Sequence, residues 1–260
     1  MVNGVQRLCA APHRHGGKVT AAKGSVVDYT GSAIVNAANE GCIGGGGVDG
    51  AICDRGGEAL HNARKALPII GKRGRVRCPT GQAKTTIAGD LNCEWVIHAV
   101  GPNYRCEDSD DDGDALLYSA YASAMLEARA NSLPDVAFCL LSSGIFRGSR
   151  PLKTVLEIGV LAVWAAAYEG LDEAFLVGFT RQEVELIAAA VDELVFSPDA
   201  KSNRESLVES LPRSVQLMHA RVLAGLEPVA PQPIGWAMAW AAAAAGGGGS
   251  SGPPADMSDV

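Results

Sequence analysis

The chain has 260 residues, of which 47% are hydrophobic, and a formal net charge of −7 with a pI near 5.3. This length and apolar content are sufficient for a buried core, and the acidic balance argues against nucleic-acid binding through clustered Lys and Arg. The seven cysteines contain no C-x-x-C pair. They therefore favour neither a disulfide framework nor a zinc site, and they predict a reducing, cytoplasmic or nuclear compartment.

The chain ends and the hydropathy pattern define an expected domain layout. No run reaches the roughly 18 apolar residues that a membrane-spanning helix needs. Residues 1–17 lack the apolar core of a secretory signal, but Arg7 and Arg14 precede any acidic residue, so an organelle transit segment stays an alternative. We expect residues 1–17 to be an N-terminal extension and residues 18–196 to form one α/β domain.

The predicted elements begin with a strand at 18–27 and a buried strand at Ala33–Val35. A polar turn, four glycines and a helix at 48–67 follow, with Pro68 as the helix stop. Further strands are predicted at 83–88, 95–100, 136–141 and 174–179, and helices follow the last three of them. This alternation favours a mixed, mostly parallel sheet with helices on both faces and ligands at the carboxyl ends of the strands.

The most informative stretch joins the strand Ala33–Val35 to the next helix. Four consecutive glycines, Gly44–Gly47, leave backbone N–H groups accessible to an anion, and the helix start adds further donors. Asn36 and Asn39 lie on one flank of the glycines and Asp49 lies on the other. The stretch therefore predicts a phosphate-binding loop with amide and carboxylate groups beside it.

Three segments in this order, 33–52, 95–102 and 141–152, resemble the macrodomain family, specifically its group with ADP-ribosyl-hydrolase activity. The resemblance implies a three-layer α/β/α sandwich. It also implies that the domain binds ADP-ribose and either cleaves it from proteins or deacetylates its O-acetyl form, without a cofactor or metal. ADP-ribose and ADP-ribosylated proteins are the partners it implies, and we expect a monomer.

The resemblance also assigns roles by position. Asn39 would hold the distal ribose, and Asp49 would position or activate the attacking water; these two are the predicted catalytic residues. The predicted ligand contacts are Ser25, Val26, Asn36, Gly45, Gly46, Gly47, Val48, Ser142, Ser143, Gly144, Ile145, Phe146 and Phe179. The glycine loop would line the distal ribose and diphosphate, and the loop from Ser143 to Phe146 would close over the diphosphate.

Three positions depart from the family pattern. Ser25 stands where an Asp usually accepts a hydrogen bond from the adenine amino group, and Cys53 stands where this group often has His. If that His orients Asp49, the change Cys53→His should raise the rate. Arg147 lies in a longer second loop, where it either holds the diphosphate by charge or points to solvent. Ser25 and Cys53 keep a second function open, that of a non-catalytic ADP-ribose reader.

Other motifs have simpler interpretations. His98, within a buried strand, is predicted to be a hydrogen-bonded core histidine. The acidic segment 107–114 contains a motif, 108–113, that resembles the first half of a calcium loop. The twelfth position counted from Asp108 is Ser119 instead of Glu, so we expect a solvated acidic loop that caps a helix at Asp114.

The C-terminal part has a different composition. Residues 197–245 are predicted to be a helical extension with a break at Pro212, and residues 246–260 a flexible tail. Trp236 and Trp240, four residues apart, either dock the tail onto the domain or bind a partner.

Overall fold

A computed structural model describes residues 3–70 and 75–228, and its centre is a seven-stranded mixed sheet. The strands are β1 Gln6–Pro12, β2 Lys18–Lys23, β3 Ala33–Ala37, β4 Ala83–Ile87, β5 Trp95–Ala99, β6 Asp135–Cys139 and β7 Glu173–Gly178. The helices are α1 Gly47–Ala66, α2 Asp110–Ala130, α3 Leu152–Ala165, α4 Arg181–Val191, α5 Ala200–Ser210 and α6 Arg213–Leu223.

The strand order is β1-β2-β7-β6-β3-β5-β4. The five central strands are parallel, and the edge strands β1 and β4 are antiparallel to their neighbours. The predicted α/β/α sandwich around a mixed, mostly parallel sheet is confirmed. Because β2, β7, β6 and β3 are adjacent and parallel, the loops that follow them lie along one edge of the sheet.

The N-terminal residues are not a separate extension as the sequence predicted, because Gln6–Pro12 pairs with β2 as an edge strand. A register shift between Arg7 and Cys9 interrupts the alternation of inward and outward side chains that would have revealed this strand. Arg7 forms an ion pair with Glu173 of β7, so the Arg7 side chain is part of the contacts that hold the sheet together. The next strand is shorter than predicted, since Val26–Asp28 forms a 3-10 turn.

Helix α1 contains a sharp break that the sequence pattern did not predict. Gly57 has φ 64° and ψ −161°, a backbone conformation that only glycine adopts readily. Asp49 precedes this break by eight residues and Arg64 follows it by seven. The break therefore lets two distant positions of one helix come into contact.

The acidic segment also differs from its prediction. Helix α2 begins at Asp110, and the hydroxyl group of Ser109 caps it by accepting from the Asp112 amide at 3.1 Å. Asp114 is therefore in the second turn, where it is fully buried, and it is not a solvated cap. It accepts a hydrogen bond from the Tyr104 hydroxyl at 2.9 Å and pairs with Arg150.

The predicted break at Pro212 is confirmed, because α5 ends at Ser210 and α6 begins at Arg213. Helix α6 packs against α2 and buries Val215, Met218 and Val222 in the main core, so residues up to 223 are part of that core.

His219 of α6 accepts a hydrogen bond from the Tyr118 hydroxyl of α2 at 2.9 Å. Burial, together with the nearby charges of Arg204 and Arg14, lowers the pKa of His219 to about 4. The histidine is therefore neutral at pH 7 and can accept the Tyr118 proton.

The predicted tail at 246–260, with Trp236 and Trp240 before it, lies outside the described residues. Among the described helices, none is long and apolar enough to cross a membrane.

Candidate functional site

Four loops at the carboxyl edge of the sheet carry the predicted site residues. Asn36 lies near the end of β3, and Asn39 to Asp49 follow that strand. Ser142 to Phe146 follow β6, Phe179 follows β7, and Ser25 and Val26 follow β2. The order of strands, β2-β7-β6-β3, places the glycine loop at one end of this row and Ser25 at the other. The structure thus places the predicted residues along one edge of the sheet.

The glycine loop is open to solvent where α1 begins. Gly45, Gly46 and Gly47 are exposed, and a Cβ atom added at Gly46 or Gly47 would meet nothing within 4 Å. Gly47 has φ 62°, which a residue with a side chain rarely adopts. The first N–H groups of α1 are therefore available to an anion that approaches the bare backbone.

Asp49 is buried at the base of this loop, with 3% of its surface exposed. Its Oδ1 atom accepts from Asn36 Nδ2 at 2.7 Å and pairs with Arg64 Nη1 at 2.8 Å. Its Oδ2 atom is buried without a hydrogen-bond partner among the described residues. One oxygen of the carboxylate is thus fixed by two donors, and the other is left to accept from something else.

A chain of hydrogen bonds supports this carboxylate from behind. Asn36 Nδ2 lies 3.2 Å from His98 Nδ1, and His98 Nε2 lies 2.9 Å from Thr86 Oγ1. Burial, with the charge of Arg64 second, lowers the pKa of His98 well below its ordinary value, so the ring is neutral. The prediction of a hydrogen-bonded core histidine is confirmed, and its Nδ1 is the acceptor that orients Asn36.

Asn39 and Gly45 lie next to the unpartnered oxygen of Asp49. A Cβ atom added at Gly45 would be 2.9 Å from Asp49 Oδ2 and 3.4 Å from Asn39 Nδ2. Asn39 holds the loop by donating to the Gly44 carbonyl at 2.8 Å and accepting from the Gly41 amide at 3.1 Å. The missing side chain of Gly45 therefore leaves a niche lined by a carboxylate oxygen and an amide group.

The second loop, Ser142 to Phe146 after β6, is anchored by hydrogen bonds of its serines and exposes its apolar side chains. Ser142 Oγ donates to the Pro102 carbonyl at 2.8 Å, and Ser143 Oγ donates to Glu183 Oε1 at 3.0 Å. Ile145 is 79% exposed and Phe146 38% exposed. Gly144, which precedes both residues, has open space where a Cβ atom would be. This loop is suited to cover a ligand that lies on the glycine loop.

Arg147 braces the second loop from within. Its Nε donates to the Ser143 carbonyl at 3.2 Å and its Nη1 donates to the Arg150 carbonyl at 2.7 Å. Arg150 in turn is anchored on Asp114 of α2. Arg147 is half-buried and bonded to its own loop, so it does not simply point to solvent, and its contact with a diphosphate stays a prediction.

The far end of the row carries Ser25 and Phe179. The Gly24 amide donates to the Gly178 carbonyl at 3.1 Å, so the residues that follow them are close together. Phe179 is 74% exposed. An exposed aromatic ring at this end of the row provides a surface on which a flat ring system can stack.

Three predicted ligand contacts are buried. Val26, Asn36 and Ser142 are 3%, 0% and 7% exposed, so their side chains support the site from behind. Ligand contact by the remaining predicted residues stays a prediction.

Sequence reasoning missed Arg64 and Glu183. Arg64 continues the buried stripe Ile52, Gly56 and Leu60 at a spacing of four residues. A charged residue on this otherwise apolar stripe was the signal in the sequence that could have indicated a buried, paired cation. Glu183 accepts from the amides of Phe179 and Thr180 at 3.2 and 2.8 Å, as well as from Ser143. The motif Thr180-x-x-Glu183 predicts a capping box, but not this link between loops.

Comparison with known proteins agrees with this geometry. The sequence model of the Macro domain family matches residues 35–158. A macro domain-containing protein of Caldanaerobacter subterraneus is 38% identical over 179 residues, which cover 68% of this chain and 97% of that protein. An O-acetyl-ADP-ribose deacetylase of Escherichia fergusonii is 39% identical over 141 residues, 54% of this chain and 75% of the enzyme.

Solved structures show the same fold. The Oceanobacillus iheyensis macrodomain with ADP superposes with a TM-score of 0.64 at 23% identity, over 73% of this chain and 97% of that one. The Trypanosoma brucei macrodomain in complex with ADP-ribose gives a TM-score of 0.56 at 29% identity, over 68% of this chain and 69% of that one. Given the share of the Caldanaerobacter protein that is matched, this chain belongs to the macro domain family.

Proposed function

We propose that this protein binds ADP-ribose and hydrolyses ADP-ribosyl ester bonds, either on acidic side chains of proteins or in O-acetyl-ADP-ribose. Binding is supported by the bare glycine loop and by the exposed residues Phe146 and Phe179 on the same edge of the sheet. The deacetylase relative and the neighbour in complex with ADP-ribose support the same ligand class.

The observation that carries the hydrolase proposal is the unpartnered Oδ2 of Asp49 beside Gly45 and Asn39. A carboxylate is not needed to bind a sugar there, but it is needed to orient and deprotonate a water. In the proposed step the water oxygen bonds to C1″ of the distal ribose while the bond from C1″ to the acyl oxygen breaks. The carboxylate of the substrate leaves with the electrons of the broken bond. The negative charge of Asp49 stabilises the oxocarbenium-like centre as it forms, and Oδ2 then accepts the proton of the attacking water.

The diphosphate is held mainly by backbone amides in this proposal. Since exposed lysines and arginines do not supply the binding energy, the affinity for ADP-ribose should depend only modestly on ionic strength. Calorimetry at low and high salt measures this, with AMP and ADP as shorter ligands. The absence of ADP-ribose binding at millimolar ligand would overturn the proposal as a whole.

The catalytic part is tested with Asp49→Asn. Asparagine keeps an oxygen that accepts from Asn36 and Arg64, whereas alanine would leave the buried Arg64 cation without its partner. We expect Asp49→Asn to bind ADP-ribose and to lose most of the turnover of a mono-ADP-ribosylated protein, because the lost charge acts in the transition state. Asp54→Asn, an exposed carboxylate on the same helix, is the matched control and should be fully active.

The alternative function, an ADP-ribose reader without turnover, is favoured by one contact. Arg64 Nη1 lies 2.8 Å from Oδ1 of Asp49, so this oxygen is already occupied and is not free to accept a proton from a water. If wild type binds ADP-ribose but hydrolyses neither ester-linked nor O-acetyl substrates, the reader is the correct function.

A further inference from the structure

We propose that Arg64 is a positioning residue for hydrolysis: it holds Asp49 by Oδ1, so that Oδ2 alone faces the glycine loop. This inference rests on the proposed function. Arg64 is fully buried, and within the described residues it is the cation that contacts Asp49. Neither the family resemblance nor the predicted catalytic pair assigns it a role.

The contacts of Arg64 fix both the guanidinium and the carboxylate. Its Nε donates to the Cys42 carbonyl at 2.6 Å, and its Nη1 lies 2.8 Å from Asp49 Oδ1. Because the guanidinium is planar, two bonds from different nitrogens set its orientation. Asn36 is the second donor to the same oxygen, so the rotation of the carboxylate is determined and Oδ2 is left next to Gly45.

Cys53 fills the space between the guanidinium and the glycine loop. Its Sγ lies 2.6 Å from Arg64 Nη1, and a Cβ atom added at Gly44 would be 3.6 Å from the same sulfur. Burial, as the largest cause, raises the pKa of the Cys53 thiol, so this neighbour is a neutral group of small size. A larger ring at position 53 would displace the guanidinium or the loop.

Cys53 and Arg64 are therefore a matched pair, and this reverses an expectation from the sequence. The sequence predicts a higher rate for Cys53→His if a histidine at that position orients Asp49. In this structure Arg64 already orients Asp49, and the imidazole ring would compete for its place. We now expect Cys53→His to lower the turnover while Arg64 is present.

The test uses Arg64→Lys and Arg64→Met beside Arg55→Met, which removes an exposed arginine from the same helix. Each variant is assayed for ADP-ribose affinity by calorimetry, and for kcat and KM on a mono-ADP-ribosylated protein. Lysine keeps a charge beside Asp49 but cannot make the planar pair of bonds. We expect Arg64→Lys to bind ADP-ribose within about twofold of wild type while its kcat falls about 10² fold, the cost of misplacing a reacting group.

The outcomes separate the two proposals. Wild-type kcat in folded Arg64→Lys or Arg64→Met overturns the positioning role, and so does a parallel loss of affinity and kcat, which a merely structural role produces. Arg55→Met should match wild type throughout. If wild type itself binds ADP-ribose without turnover, the proposed hydrolysis fails and this inference fails with it.

A second measurement remains informative if Arg64→Met does not fold. Cys53→His should lower kcat at least about tenfold in the wild-type background, as expected for a displaced reacting group, and have a smaller effect in the Arg64→Lys background, where the orientation is already lost. Equal effects in both backgrounds would show that the two positions act independently, and would overturn the matched pair.

Discussion

The break in α1 at Gly57 should be indispensable to the candidate site, and Gly57→Ala tests this. Asp49 and Arg64 are fifteen residues apart along α1, yet their side chains are 2.8 Å apart. In an uninterrupted helix their Cα atoms would be about 22 Å apart, which is farther than the two side chains can span. The ion pair therefore depends on the conformation of one residue.

The expected cost comes from the backbone more than from a collision. Gly57 has φ 64° and ψ −161°, a region essentially restricted to glycine, where another residue costs about 1–3 kcal/mol. The added Cβ would be 2.3 Å from Asp90 Oδ2, but Asp90 is exposed and its carboxylate can rotate away. For a chain of this size, a loss of about 1–3 kcal/mol corresponds to a decrease in Tm of about 2–12 °C.

Thermal and urea unfolding of Gly57→Ala, with turnover of a mono-ADP-ribosylated protein on the same preparation, measure both consequences. Gly46→Ala is the matched control for stability, because Gly46 has φ −96° and its added Cβ would meet nothing within 4 Å. We expect Gly57→Ala to lose stability and turnover and Gly46→Ala to unfold like wild type. If Gly57→Ala unfolds within about 0.5 kcal/mol of wild type, the size that a neutral surface change has, the reasoning is wrong.

Three further predictions concern regions outside the break. The pKa of His219 is lowered to about 4 in the folded state, so its contribution to the free energy of unfolding is present above pH 6.5 and is lost as the pH falls towards 4. In urea titrations over this pH range, the free energy of unfolding of wild type should fall by on the order of 2–4 kcal/mol more than that of His219→Asn. Ser25→Asp should tighten ADP-ribose binding by about 1–2 kcal/mol in calorimetry if adenine lies beside Ser25, and unchanged affinity would place adenine elsewhere. Arg150→Met should weaken ADP-ribose binding with little change in kcat, since it frees the second loop from Asp114; a kcat effect without an affinity effect would contradict this.

The local sequence was sufficient to predict the glycine loop and its neighbours. Because glycine lacks a side chain in every fold, the accessible backbone amides of this loop follow from the sequence alone. A strand, a run of glycines and a helix start together form an anion site, and all its parts lie within about fifteen residues. The parallel sheet was predictable for a similar reason, because strand and helix periodicities are local patterns. His98 within a buried strand was also interpreted correctly, although its partners Asn36 and Thr86 were not.

Contacts between distant positions were decided only by the tertiary structure. The sequence contains Asp49, Arg64 and Cys53, but their contact requires the Gly57 conformation, which no periodicity encodes. Likewise the burial of Asp114 depends on Arg150, thirty-six residues away, which supplies the compensating charge. Local propensities thus determined which elements form and where the glycine loop lies. The orientation of Asp49, the carboxylate on which the proposed chemistry depends, was determined by packing, since only packing brings the buried cation of Arg64 to it.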